Sequence, residues 1–410
     1  MTVLRMAGLD ATDAFLGYHG AATKSWLPAY LIGDVCAEDL AASLTPCTVE
    51  YRALRARLEA EGQFETRYSF YAVHVAWVAS LLAAAVWLTA SAHGAWPQTL
   101  AGALVLGVFW QQSAFLGHDL GHNAVTHERR LDAAMGLVFG NLLTGISISW
   151  WKATHNAHHL STNSVTHDPD IQHMPLIAIN ERFFRSPFSW YHHRVLAYDW
   201  VARLTVQFQH IVFYPLMMVA RWNLYGQSMQ LLLLQKRIER RELELACVLV
   251  YFVWLSLLLS TVPTFALKFA YLFVSHAVVG LLHVQICLSH FSRAVYEGRP
   301  MDAPGETFFH SQLATSMDVD CWSCLDWLHG GLQFQAIHHL FPRLPRHRLR
   351  ALVPAVRALA AKHGADYHVR VRSRSLRAFA APCLCSQSGA ATTPAHGLAL
   401  SSPRRRPIRR

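Results

Sequence analysis

The chain has 410 residues, 53% of them hydrophobic and only 15% charged, against roughly 25% charged in an ordinary soluble domain, which excludes a purely soluble enzyme. The formal net charge is +10, yet nine arginines and no acid fall within residues 370–410; the basicity belongs to the tail, and nucleic acid drops out as a partner. The 25 histidines are the more telling surplus, because His is the commonest metal ligand among side chains.

Residues 1–60 are polar and mixed, without the basic flank and apolar run of a secretory signal. Four stretches then have the roughly 20 apolar residues that a membrane-crossing helix needs: Tyr68–Ala92, Thr99–Gly117, Leu243–Val262 and Phe265–Leu288. The connections His93–Gln98 and Val262–Phe265 hold no Lys or Arg, whereas Arg52–Arg57, Lys236, Arg237, Arg240, Arg241 and Arg343–Arg350 flank the other side. By the positive-inside rule both hairpins turn away from the cytosol, leaving both termini and the long middle segment cytosolic. Leu131–Trp151 is broken by Gly136, Gly140 and Gly145, and Val206–Ala220 by Gln207, Gln209, His210 and Pro215. Both are expected to be interfacial or re-entrant helices. The aromatics Trp150, Trp151, Phe183, Phe184, Trp190 and Tyr191 are expected to anchor the interface. Beyond Arg370 the Ser/Ala/Pro/Arg-rich chain reads as disordered. Eight scattered cysteines form no disulfide framework.

Three histidine clusters lie at the same membrane boundary. His118-Asp-Leu-Gly-His122 follows the second span, His155-Asn-Ala-His158-His159 lies in the middle segment, and Gln335-Ala-Ile-His338-His339 follows the fourth span. Spacings of three and four residues put imidazoles on one helix face. Were Leu131–Trp151 a true span, the first two clusters would face opposite compartments about 30 Å apart. With His290 as an eighth candidate, the set exceeds what one zinc takes and suits two ions held mainly by imidazole, among which iron is a normal choice. Asp119, Asp168 and Asp170 are candidates to accept from the distal ring N–H groups. Cys321 and Cys324 form a lone C-x-x-C pair, and no glycine-rich dinucleotide loop is present.

The three clusters resemble the histidine boxes of membrane fatty acyl desaturases, and Gln335 resembles the opening residue of the third box in the front-end branch, which carries a fused cytochrome b5 domain. The stretches Leu143–Lys152, Thr154–Leu160, Asp168–His173 and Gly330–Arg346 are similar to plant and algal Δ8 sphingolipid (long-chain base) desaturases, with Δ6 acyl-lipid desaturases close behind. The resemblance, over roughly residues 8–365, implies an all-α integral membrane fold. It would have four transmembrane helices, interfacial helices and a cytosolic histidine-rich cap. It also implies a non-haem di-iron centre on His118, His122, His155, His158, His159, His290, His338 and His339, with Gln335 and Asp119 as further metal-site or supporting residues. Gly8–His19 and Trp26–Asp34 resemble the second half of a cytochrome b5 domain, with His19 matching one axial haem ligand. The half that carries the His-Pro-Gly-Gly loop is missing, so haem b would bind only to a complete domain. That departure and the arginine-rich tail are expected to mark an incomplete gene model. The implied organisation is a partial b5-like segment over 1–40, a linker over 41–67, the desaturase domain over 68–368 and a disordered tail over 369–410.

The expected activity is O2-dependent introduction of a C=C bond near the head-group end of a long chain, at Δ8 of a sphingoid base or ceramide. Electrons would come from cytochrome b5 and its NADH-dependent reductase, at the endoplasmic reticulum membrane. The alternatives are a Δ6-type acyl-lipid desaturase, a di-iron lipid hydroxylase, and a membrane metal-binding or transport protein. Transport calls for ionisable residues within the spans, whereas the centres of these spans are nearly uncharged.

Overall fold

A computed structural model describes residues 6, 9–299 and 307–370, so the tail expectation lies outside the described residues. The helices that position the site are α1 (Thr12–Tyr18), α2 (Pro46–Ala60), α3 (Tyr68–Ala90), α4 (Trp96–Gly121), α5 (Arg129–Gly136), α6 (Ile148–Leu160), α7 (Gln209–Leu234), α8 (Arg241–Ser260), α9 (Phe265–Phe291), α10 (Phe308–Thr315), α11 (Gln335–Leu340) and α12 (Arg346–His363). Strand structure among the described residues is confined to short pairs, Phe188–Ser189 with Arg194–Val195 and Asp318–Val319 with Val369–Arg370.

Four helices are long and apolar enough to cross a membrane: α3, α4, α8 and α9. Their burial is unequal. In its most apolar stretch α4 is 61% buried and α3 only 22%, so α4 is the central post and α3 presents most of its surface outward. Pro97 starts α4, where its missing N–H costs nothing. Helix α9 packs along α4, and α7 packs along α9. A Cβ at Gly107 of α4 would lie 2.6 Å from the Ser275 carbonyl oxygen of α9, so glycine is what allows the two backbones to approach. The core between them contains Leu106, Phe109, Trp110, Tyr251 and Tyr271, all fully buried.

The two interrupted apolar stretches behave differently. Residues 131–151 do not form one helix: α5 runs into a π-helical turn at Leu137–Leu142, the chain reverses at Gly145 (φ 73°), and α6 begins after Ser147. Ser147 caps α6 by accepting from Trp150 N–H at 3.0 Å. The buried Glu244 carboxylate, at the start of α8, pins this loop by accepting from Asn141 Nδ2 (3.0 Å), Ser147 Oγ (2.5 Å) and the Ser149 hydroxyl. The second stretch is longer than the sequence suggested. It continues to Leu234 as one helix packed on α9, because its buried cation, Arg221, donates to Tyr225 Oη (2.7 Å) and to the Thr144 carbonyl (2.5 Å) and lies over the Trp110 ring at 4.6 Å.

A cap of α2, α10, α11 and α12 covers the ends of α4 and α9 that carry histidines. Its core holds Tyr51, Phe309, Ile337, Leu340, Phe341 and Val356, and Tyr51 Oη donates to the Leu340 carbonyl at 2.8 Å. Helix α1 is tied to α2 by Arg52 to Asp13 (2.8 Å) and Asp10 (2.9 Å). From Trp26 to Val35 large apolar side chains stand exposed, Ile32 completely. Phe183 is not an interface anchor: it is fully buried against Val165 and Ile171.

Candidate metal centre

The first box sits where α4 ends. His118 is in its last turn and His122 follows as the C-cap residue, so the four-residue spacing brings the two rings edge to face at 4.7 Å. The second box occupies the last two turns of α6, and the third forms α11. Helix α11 has no cap of its own; Asp318, distant along the fold, accepts from Ala336 N–H at 2.8 Å. His290 ends α9 and faces His158, ring to ring at 4.6 Å.

The candidate residues assemble into two adjoining sets. His118, His122, His155 and His338 form one, and His158, His290 and His339 the other; within each, one potential ligand atom per residue lies within 4.8 Å of the others. His159 stands between them. Its Nε2 is 3.0 Å from His155 Nε2 and 3.1 Å from His338 Nε2, and its ring stacks on His339 at 4.0 Å. All but His118 are buried, and His118 is nearly so.

The hydrogen bonds sort four of the imidazoles into an oriented end and a free end. His158 Nδ1 donates to Asp168 at 2.9 Å, His290 Nδ1 to the Thr315 carbonyl at 3.2 Å, His339 Nδ1 to Gln312 Oε1 at 3.0 Å, and His118 Nδ1 faces Asp119 at 3.3 Å. The Nε2 atoms of these same four residues are buried without a partner. A buried lone pair without a partner is costly, and four of them converging, each opposed by an anchored Nδ1, form the donor set of a metal centre. The residues present therefore fit two ions.

Electrostatics favour the same state. Burial and mutual repulsion hold His159, His338 and His339 far below the usual imidazole range, and burial takes His155 down to about 3. These rings are neutral, as ligation requires. His158 differs: against the desolvation of burial, the charges of Asp168 and Asp170 hold it up at about 9, so a bound cation would have to displace its Nε2 proton while the Nδ1 proton stays on Asp168. Asp170, although buried, is taken down to about 2, chiefly by the charge of His158.

Several supporting residues were invisible in the sequence. Asp119 is held by Tyr71 Oη at 2.7 Å and by Arg346 Nε at 2.9 Å, a buried clamp joining α3, α4 and α12. Trp151 lies 4.3 Å from the His155 ring and about as near to His118 (5.4 Å) and His122 (5.3 Å), so it is a wall of the centre and not an interface anchor. Gln312 and Thr315 come from α10, remote in sequence from every box. Only chain topology brings them here; no local spacing signals it.

Gln335 is fully buried in the first turn of α11, with its Oε1 free. His19 stacks on Phe15 at 4.2 Å, its Nδ1 within 3.0 Å of the Phe15 carbonyl, and it joins neither set. Cys321 is partly buried beside Asp326 and Arg350, and Cys324 is exposed.

Comparison with known proteins accords with this geometry. The fatty acid desaturase family pattern matches residues 94–371. The chain is 40% identical over 369 residues to Delta(8)-fatty-acid desaturase 2 of Arabidopsis thaliana, covering 89% of this chain and 80% of that one. It is 36% identical over 363 residues to the acyl-lipid (9-3)-desaturase of Borago officinalis, covering 88% and 80%. With the Delta 8-(E)-sphingolipid desaturase of Emericella nidulans it shares 38% over 314 residues, or 73% of this chain and 55% of that one. With its membrane-length helices and its paired histidine sets, the chain belongs to the fatty acid desaturase family and is an oxidoreductase that desaturates lipid chains.

Proposed function

We propose that the chain is a di-iron desaturase that places a double bond at Δ8 of a long-chain base, carried free or as ceramide. The observation that carries this reading is the pair of adjoining all-histidine sets at the ends of two membrane-length helices. Similarity to desaturases named for Δ8 in Arabidopsis thaliana and Emericella nidulans supports the substrate. Iron is the metal proposed because imidazole ligands and O2 chemistry suit it.

His118, His122, His155 and His338 would hold one ion and His158, His290 and His339 the other, with His159 between them. When bound, the irons would activate O2, the oxidant, for removal of two hydrogens from adjacent methylenes, with two electrons and two protons from donors completing its reduction to two waters. The chain's own part is orientation and exclusion. Asp168 keeps the His158 proton on Nδ1, leaving Nε2 free, and Asp119 does the same for His118. Burial of the rings and the Trp151 wall keep bulk water from a site whose oxidant would otherwise be quenched. We assign the electron supply to cytochrome b5 and its NADH-dependent reductase. The site is assigned to the endoplasmic reticulum membrane, with the termini and histidines cytosolic. Haem b at His19 would need a complete b5 domain.

Expression in yeast with co-expressed free cytochrome b5, followed by mass spectrometry of long-chain bases and acyl chains, tests the reading. A new Δ8-unsaturated base is expected. A double bond confined to acyl lipids, or a hydroxyl in its place, would overturn it.

A further inference from the structure

Three glutamines stand well inside two membrane-length helices, where apolar residues are the rule. Gln111 and Gln112 lie in α4, and Gln285 lies in α9. At about 1.5 Å of rise per residue, Gln285 sits roughly 8 Å before His290 and the other two roughly 10 Å before His118. All three are therefore at one depth, on the membrane side of the metal centre. Amides here are costly unless paired, and their pairing is specific. Gln112 Nε2 donates to the Trp327 carbonyl at 3.0 Å, Gln111 Nε2 to the Leu328 carbonyl at 3.3 Å, and Gln285 meets His329 Nδ1 at 2.5 Å. Three consecutive residues, 327 to 329, are thus gripped by amides from two spans.

The pairing is incomplete. Gln112 Oε1, Gln285 Oε1 and the neighbouring Ser113 Oγ are buried without a partner. The orientation of Gln112 is not in question, because a carbonyl accepts only from its NH2 group; its free atom is an acceptor. Gln285 and His329 are only partly buried, whereas Gln112 and Ser113 are fully so. Trp327, which precedes them, is half exposed at the outer surface and meets Trp77 of α3 edge-on at 6.5 Å. The segment therefore runs from the lipid-facing surface inward to a polar pair below the metal centre.

Resting on the reading above, we propose that Gln285 and His329 form a subsite for the hydroxyl and amide groups at the head of a long-chain base. With Gln285 Nε2 on His329 Nδ1, the free atom of Gln285 is Oε1, an acceptor, and a free acceptor selects a donor. A long-chain base offers O–H and N–H groups close to the carbon that is desaturated, whereas the ester end of an acyl lipid offers acceptors alone. A site built to hydrogen-bond a substrate hydroxyl rejects the analogue lacking it far more strongly than an apolar pocket rejects one that has it. The subsite thus distinguishes the two lipid classes by chemistry where their apolar chains cannot.

The test uses the full chain in yeast microsomes, with a ceramide bearing the free 3-hydroxyl and its 3-deoxy analogue as probes. The quantity read is the ratio of kcat/KM for the two. Wild type is expected to favour the hydroxylated probe by about tenfold or more, as one hydrogen bond supplies. In Gln285→Leu the ratio should collapse toward one, mainly through KM, and His329→Phe should do the same if the first variant fails to accumulate. An unchanged ratio in an accumulating variant overturns the subsite while leaving Δ8 activity on bases intact. Wild-type activity on acyl lipids alone would instead overturn the substrate reading itself, and the subsite with it.

Discussion

Gly121 lies inside the first histidine box, and a single methyl group there would reach the metal centre. A Cβ at this position would fall 2.0 Å from Trp151 Cζ3 and 2.5 Å from Cε3, whereas ordinary contact begins at 3.4 Å. The indole has nowhere to retreat, because its other neighbours are the rings of His155 at 4.3 Å and of His118 and His122 just beyond 5 Å. Gly121→Ala would ordinarily help a helix by up to about 1 kcal/mol; here overpacking should cost about 1–3 kcal/mol. The net loss, about 1–2 kcal/mol, should lower Tm by roughly 1–2 °C for a chain of this length and spread the ligand set by a large fraction of an ångström. The assay is protein purified in detergent, with metal content by mass spectrometry and Tm by intrinsic fluorescence. Reduced metal per chain together with a lower Tm is expected. Full metal content and an unchanged or higher Tm would show that Trp151 does not brace the histidines.

Arg346→Met should destabilise by about 3–5 kcal/mol, because it leaves the buried Asp119 carboxylate without its cation; thermal unfolding beside Arg346→Lys measures it. Asp168→Asn should weaken metal binding about 10- to 100-fold through loss of the His158 orientation, read by metal titration of the apoprotein. Burial raises Asp318 to about 6 from its ordinary 3.8, so the folded state holds a proton that the unfolded chain has released. Stability should therefore fall by roughly 3 kcal/mol as pH rises from about 4 to about 6, and Asp318→Asn should flatten that dependence in a Tm-against-pH series.

What could be read without coordinates was whatever has a local period. Apolar length exposes the four spans, and spacings of three and four expose the boxes. Residues 131–151 cannot span because the boxes on either side of them must meet, and the π-turn with its Glu244 anchor is the physical form of that break. The apolar stretch read as α7 ends at Ala220, before Arg221, because the partners that admit a buried Arg221, the Thr144 carbonyl and the Trp110 ring, lie far along the chain. The same distance hides Gln312, Tyr71 and Arg346. Trp151 carries an interface-like signature in sequence, yet its environment is a cluster of imidazoles.

The clamp between Asp119 and Arg346 has a consequence for biosynthesis. A ribosome adding about 5–20 residues per second needs on the order of ten to forty seconds to travel from His118 to His338. Throughout that interval the nascent chain exposes His118, His122 and then His155 as a vacant half-site, before His290, the third box or Arg346 exists. Bare imidazoles take copper or zinc more avidly than ferrous iron. With iron as the proposed metal, correct loading would depend on closure: the carboxylate gains its cation, and His338 takes its place beside the earlier ligands, only when the last segment docks. On that reading the order of synthesis would make mismetallation the hazard of this architecture, and the docking that joins Arg346 to Asp119 the step that completes the site.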